Sequence, residues 1–162
     1  MYLSKDQLSD VFRYNIVTSI DICIVKNKKI LLGKRRNNPA KDFYFVPGGR
    51  IVKEETIDNA LNRIIKVETG ISTLRKKNKK INFLGVFEHF YEENFLGNKE
   101  FSSHYIVLAY LLDANSLSRI NRDIFMNQHS DLIWYDITRK EMDINIHEYS
   151  TIYINQITKI LK

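Results

Sequence analysis

The residues best suited to chemistry lie in the stretch VPGGRIVKEETIDNALNRIIKVETGI, residues 46–71. Gly48 and Gly49 let a ligand approach the backbone closely or let the chain take positive φ, and Arg50 follows them directly. Thr56 suits an N-cap, Ile57, Ala60, Leu61, Ile64 and Ile65 recur at helical spacing, and Gly70 stands where a helix end takes glycine, so the sequence predicts a helix over 56–69. Its N-terminus adds partial positive charge expected to face the same space as Arg50, and the combination suits an anion. Glu68 is out of place. At roughly 100° per residue it falls about 20° from Ile57 and Leu61, on opposite sides, and about 40° from Ile64, in the centre of the apolar stripe. A carboxylate buried there needs a partner, an arginine or a metal ion, unless the helix end frays and lets it reach solvent.

These residues need elements to hold them. Ser4-Lys5-Asp6-Gln7 has the form of a capping box and predicts a short helix through about Phe12. Residues 15–26 (NIVTSIDICIVK) are β-branched and partly alternating, and Asn27-Lys28 before KILLGKR makes them one arm of a hairpin. A third strand is expected over 42–46, others at 81–91 (INFLGVFEHFY), 103–112 (SHYIVLAYLL) and 131–136 (DLIWYD), and a closing helix over 149–161. Residues 92–100 form a loop long for a tight hairpin, and such loops often carry function. Mixed strands with two substantial helices imply an α+β fold in α/β/α layers.

A chain of 162 residues, 44% hydrophobic with two prolines, makes one domain with a proper core, and no repeat or linker divides it. The 25 basic and 19 acidic residues leave a net charge of +6, which suits an anionic partner. Five of those charges sit in the run Arg75-Lys76-Lys77-Asn78-Lys79-Lys80, which reads as a solvated loop or, less simply, an anion contact. Without an aromatic stacking platform beside it, nucleic acid is not expected as a partner. The single cysteine, Cys23, makes no internal disulfide, the start MYLSKDQLSD lacks a signal-peptide core, and no apolar run approaches the roughly 20 residues of a membrane span, so a cytoplasmic protein free of membrane is expected.

Gly49, Glu55, Arg63, Glu68 and Gly70-Ile71 follow the spacing of the Nudix box, G-x5-E-x7-R-E-U-x-E-E-x-G-U, and the chain resembles the Nudix hydrolases. The resemblance implies an α/β/α sandwich with a mixed sheet between helices. Ile64 and Val67 stand where the family usually has carboxylates that hold several divalent cations. The same departure marks one branch, the GDP-mannose mannosyl hydrolases. The match to that branch extends through MYL, SIDICIV, LLGKRRNNPA, FVPGGR, VETG, GVFEHFYEENF, SHYIVL and NQHSD, mostly outside the box.

What the branch implies is water attack at the anomeric carbon of GDP-mannose, or also GDP-glucose, releasing GDP and free sugar with inversion, in a metabolism linked to surface polysaccharide. The alternative is an ordinary Nudix pyrophosphatase that cleaves the diphosphate of another nucleotide sugar. By resemblance, one Mg2+ per subunit, replaceable by Mn2+, is held by the Gly48 carbonyl, Glu68 and the side-chain oxygen of Gln128, all hard oxygen donors. Arg35 and Arg50 would clamp the phosphates, a role suited to the guanidinium. His129 would be the general base, oriented by Tyr105, since a histidine is largely neutral at pH 7. Asp21 and His89 would line the sugar side. Tyr2, Leu3 and Leu8 of MYLSKDQL would contact guanine across a homodimer interface, with Leu8 where the branch usually has an aromatic. Taken alone, Arg35 reads as readily as a strand-end surface arginine beside Lys34 and Arg36, His129 as a loop histidine, and Tyr105 as a core aromatic.

Overall fold

The computed structural model describes residues 3–71, 81–115, 120–139 and 144–161; Tyr2 and the basic run at 75–80 lie outside them. Helix α1 (Lys5–Tyr14) opens on the expected capping box: Ser4 Oγ accepts from the Gln7 N–H at 3.3 Å, and Gln7 Oε1 accepts from the Ser4 N–H at 3.0 Å. It runs two residues past Phe12. Strands β1 (Val17–Lys26) and β2 (Lys29–Arg35) form the hairpin, with Asn27 and Lys28 at φ 50° and 58°, the left-handed pair that a two-residue turn needs to match strand twist.

The hairpin pairs only at Val25↔Ile30 and Lys26↔Lys29 and then opens. Strand β3 (Tyr44–Phe45) lines the opening on β2, and strand β4 (Gly48–Arg50) lines it on β1 at Ser19–Asp21. The expected strand over 42–46 is thus cut to two residues. Asp42 has φ 68°, which breaks extended backbone, and Pro47 beyond Val46 has no N–H to give a ladder. Strand β4 escaped the sequence because Gly-Gly-Arg carries no strand pattern.

Helix α2 (Ile57–Thr69) is capped by Thr56, whose Oγ1 accepts from the Asn59 N–H at 3.2 Å, and ends on Gly70 at φ 71°. Its buried face holds Ala60, Leu61, Ile64, Ile65 and Glu68; Ile57, expected in the stripe, is 46% exposed because the stripe meets the sheet only after the first turn. Strands β5 (Ile81–Tyr91) and β6 (Ser103–Asp113) follow, then the short helix α3 (Arg122–Met126), which the sequence did not announce, strand β7 (His129–Asp136) and helix α4 (Glu148–Ile160).

The sheet runs β3-β2-β1-β6-β5, with β7 along the other edge of β2 and β4 beside β1. Strand β1 is parallel to β6 and the other pairs are antiparallel. Both faces of the sheet are covered, so β1 is buried without a break from Ser19 to Val25. Ile20, Ile22 and Ile24 face α2 and α3 with Leu61, Ile64 and Phe125, while Cys23 and Val25 face α4 with Tyr153, Ile154 and Ile157. This is the expected α+β sandwich, a mixed sheet between helices.

The β2–β7 ladder shifts register between Lys34 and Arg35, which sets Arg35 opposite His129. The His129 ring then lies directly on Gly33, where a Cβ would stand 2.4 Å from Cγ and Nδ1 and 2.6 Å from Phe125. A methyl group there overpacks a closed space. Gly33→Ala should lower stability by about 1–3 kcal/mol in urea unfolding, and a midpoint equal to that of the wild type would refute this packing.

Candidate active site

Two adjoining cavities open where β1 and β2 part. One, of about 240 Å3, is lined by Leu8 and Phe12 of α1, Asp21 of β1, His89 and Tyr91 of β5, Phe95 and Tyr105. The other, of about 370 Å3, is lined by Asn37, Glu68, Gln128 and His129. Arg35, Gly48 and Arg50 border both.

Each shared residue is held by its element. Arg35 ends β2; its Nε donates to the Pro39 carbonyl at 2.9 Å and its guanidinium lies 5.6 Å over the Phe45 ring. Arg50 ends β4 and lies 5.7 Å over Phe12. The Arg50 carbonyl accepts from Arg63 Nη2 at 2.8 Å, while Arg63 Nε and Nη2 grip the two oxygens of Glu55 at 2.7 Å each. That bidentate pair, two positions of the box, ties α2 to β4 and holds the Glu55 carboxyl below its ordinary range. The loop so closed carries the helix start away: no residue of the first turn of α2 lines either cavity, so the expected helix N-terminus beside Arg50 is replaced by the C-terminal half of α2, which brings Glu68.

Glu68 is 9% exposed in the apolar face, as its angular position requires. No arginine pairs with it among the described residues. Its Oε2 lies 3.4 Å from His129 Nε2, without hydrogen-bond geometry. His129 is 2% exposed and stacks on Phe125 at 4.3 Å between centroids. Arg36 fixes its backbone, donating from Nε to the His129 carbonyl at 2.9 Å and from its N–H to the Gln128 carbonyl at 3.2 Å. Both His129 ring nitrogens are buried and lack a hydrogen-bond partner in the described residues. A polar group in this position is waiting for a ligand or for the carboxylate to close on it.

The donor set can hold a Mg2+ ion. Among the described residues no three His, Cys, Asp or Glu side chains converge on a metal position. Glu68, the Gln128 side chain and Gly48 border one cavity, and a carboxylate, an amide oxygen and a carbonyl are the hard oxygens this ion takes. Gln128 Oε1 now accepts from Asn37 Nδ2 at 3.3 Å. Ile64 and Val67, the two positions where the box usually has carboxylates, are respectively buried against Gly49 and exposed, so neither supplies a ligand.

Asp21 and His89 come together in the other cavity, joined by a residue the sequence did not single out. Tyr153 of α4 donates from its hydroxyl to Asp21 Oδ2 at 2.9 Å and lies 3.0 Å from His89 Nε2. Burial pushes the Asp21 carboxyl up to about 7 against the opposing Tyr153 hydrogen bond and Arg35 charge. Burial, with His147 adding its charge, pushes His89 down to about 3. Tyr105 packs edge-on against Phe12 at 5.6 Å and Tyr91 at 5.8 Å, and burial raises its hydroxyl to about 12. It lines the Asp21 cavity and not that of His129, so it does not orient His129; Phe125, Gly33 and Arg36 do. Leu8 lines the same cavity, where Phe12 and Phe95, 4.9 Å apart, provide the aromatic surface; Leu3 is 41% exposed and lines neither cavity. Phe12 and Phe95 were missed because an amphipathic helix and a loop each show an aromatic without showing what it faces.

A mixed sheet between helices here sets a glycine-arginine strand against a glutamate-bearing helix. The chain matches the NUDIX domain over residues 17–150 and belongs to that family. It is 35% identical over 118 residues to the low-salt glycan biosynthesis protein Agl8 of Haloferax volcanii, covering 72% of this chain and 68% of that one. It is also 35% identical over 95 residues to an ADP-ribose pyrophosphatase of Methanocaldococcus jannaschii, covering 59% of this chain and 49% of the relative, so it spans about half that protein's length. Among solved structures, the MutT NUDIX hydrolase from Burkholderia pseudomallei superposes with a TM-score of 0.67 at 22% identity, over 88% of this chain and 98% of that one, a likeness of fold.

The opposed shifts of Asp21 and His89 give a pH signature. As pH falls below 6.5, the unfolded chain protonates His89 while the folded chain resists to about 3, so stability is lost. Asp21 acts the other way: folded, it takes its proton near 7, and unfolded only near 3.8, so stability is gained over that window. Asp21→Asn removes the gain. Its melting temperature should fall more steeply than that of the wild type between pH 7 and pH 4.5, and parallel profiles would show that Asp21 is not buried as described.

Proposed function

We propose that this Nudix domain is a Mg2+-dependent hydrolase of GDP-mannose, and also of GDP-glucose, that releases GDP and free sugar by water attack at the anomeric carbon. The observation that carries this reading is that Glu68 is the one carboxylate, among the described residues, bordering the cavity of Arg35, Arg50, Gln128 and His129. A single carboxylate with two amide-type oxygens suits one cation and leaves a multi-metal attack on phosphorus without its ligands.

In this reading Arg35 and Arg50, shared by the two cavities, bind the diphosphate and take up the charge that develops as the leaving group departs. Glu68, Gln128 and the Gly48 carbonyl would hold a Mg2+ ion, which would supply further charge neutralisation to the diphosphate. The bond from the anomeric carbon to the phosphate oxygen breaks with its electron pair on GDP, and the bond to the water oxygen forms on the opposite face. His129 accepts the water proton at Nε2, since Nδ1 lies on Gly33 and Nε2 points toward Glu68, whose charge favours the imidazolium so formed. Asp21 and His89 receive the sugar, and Leu8, Phe12 and Phe95 the guanine. Tyr2 and Leu3 would contact the guanine across a homodimer interface. Strand β5, at the edge of the sheet, exposes Phe83, Val86 and Phe90 and suits the homodimer this requires. Similarity to the Haloferax low-salt glycan biosynthesis protein agrees with a role in nucleotide-sugar metabolism linked to surface polysaccharide, carried out in the cytoplasm. Among the described residues no helix is long and apolar enough to cross a membrane.

The second reading, cleavage of the diphosphate in another nucleotide sugar, is favoured by the pyrophosphatase name of the Methanocaldococcus relative. Turnover of GDP-mannose in water enriched in heavy oxygen separates the two: the label should enter mannose, and label in a phosphate product with release of GMP would overturn the first. His129→Ala should lower kcat about 100-fold or more while GDP-mannose binding is kept; retained turnover would remove His129 as the base. Glu68→Gln should raise the Mg2+ concentration for half-maximal activity at least several-fold, whereas an unchanged Mg2+ requirement would take Glu68 out of the metal site.

A further inference from the structure

We infer that Tyr153 is a positioning residue that sets sugar specificity, its hydroxyl fixing which oxygen of Asp21 and which nitrogen of His89 meet the substrate. This rests on the proposal that the sugar enters the Asp21 cavity. Asp21 and His89 stand on strands separated by β6 and pair four residues apart along it, at Ala109 and Tyr105. Their side chains nevertheless converge, because the Tyr153 hydroxyl, from a fully buried ring on α4, reaches both at 2.9 and 3.0 Å.

A tyrosine hydroxyl has one proton to give, and an ionised carboxylate only accepts. At pH 8.5, where Asp21 is ionised, Tyr153 therefore donates to Asp21 Oδ2 and accepts from His89 Nε2, which must carry the imidazole proton and leave Nδ1 without one. The other carboxylate oxygen, Oδ1, is turned to Gly48: a Cβ on that glycine would stand 2.4 Å from it. It thus faces the rim that Arg35 and Arg50 share. His89 is held flat against Tyr149, with ring centroids 3.8 Å apart and planes 3° from parallel, which fixes the plane of its ring, while the Tyr153 hydroxyl fixes the place of Nε2. One hydroxyl outside the cavity lining thereby orders two acceptors within it. Sites ordered to bond particular hydroxyls reject epimers that misplace them.

Tyr153→Phe keeps the ring and its edge contact with Phe87 at 4.9 Å and removes only the hydroxyl. At pH 8.5 the ratio of kcat/KM between GDP-mannose and its hexose epimers should shrink about 10-fold or more, with the affinity for GDP alone unchanged. Thr158→Val, on the same helix and outside both cavities, should leave the ratio as it is. A folded Tyr153→Phe enzyme with the wild-type ratio, or with GDP affinity reduced in parallel, would overturn the inference. The wild type alone gives a second test should the variant not fold: nitrogen NMR at pH 8.5 should find His89 protonated at Nε2, and protonation at Nδ1 would overturn the inference. If heavy oxygen enters phosphate, the GDP-mannose reading fails, whereas the His89 tautomer and the epimer ratio on whatever sugar nucleotide is cleaved still decide the role of Tyr153.

Discussion

The site depends on the early separation of β1 and β2. A hairpin that stayed paired would satisfy its own backbone groups and leave no opening, but this one holds two register pairs and then diverges. Its freed inner edges still need hydrogen-bond partners. Strands β3 and β4 supply them, one on each side, with Val46 and Pro47 crossing between; the Pro47 carbonyl accepts from the Ile22 N–H at 2.8 Å. The cavities lie at this gap. Arg35 is on its rim because β2 ends there, and Gly48 and Arg50 are on its rim because β4 lines it.

Charge follows from that geometry. The two buried carboxylates, Asp21 and Glu68, belong to opposite faces of the sheet, one toward α4 and the other on α2. Each meets a polar ring group, Tyr153 in one case and His129 in the other, and neither pairs with an arginine among the described residues. The guanidiniums of Arg35 and Arg50 stay at the border, over aromatic rings, where an incoming anion can reach them. Arg63 takes the opposite role: it bonds Glu55 and the Arg50 carbonyl, and holds β4 without lining either cavity.

Local patterns in the sequence fixed the elements well where one face meets one neighbour. The capping box at Ser4, the helix from Thr56 to Gly70 and the Asn27-Lys28 turn are local devices, and each stands where its residues require. The place of Glu68 in a buried face was legible for the same reason, since helical periodicity states the face. What periodicity does not state is the partner: His129 lies 61 residues away in the chain and reaches Glu68 through the register shift in β2–β7. Strand β4 was hidden because two glycines and an arginine carry no side-chain alternation, and Tyr153 because a tyrosine in a buried helix face looks like any core aromatic until its hydroxyl has an address. The division of the site residues between two cavities is likewise a property of the sheet's opening and not of any motif.

The parallel pairing of β1 with β6 bears on how the chain comes to exist at all. Val17 to Val25 align with Tyr105 to Asp113, so the central strand finds its long neighbour only after 88 further residues have been made. During synthesis β1 therefore emerges with isoleucine, valine or cysteine at six of its ten positions and only a two-pair hairpin to shelter it. Non-local pairing of this kind slows folding and leaves an open edge in the meantime. The β1 edge therefore stays without its parallel partner until Asp113 has been made, well before the C-terminal helix arrives to close the second face.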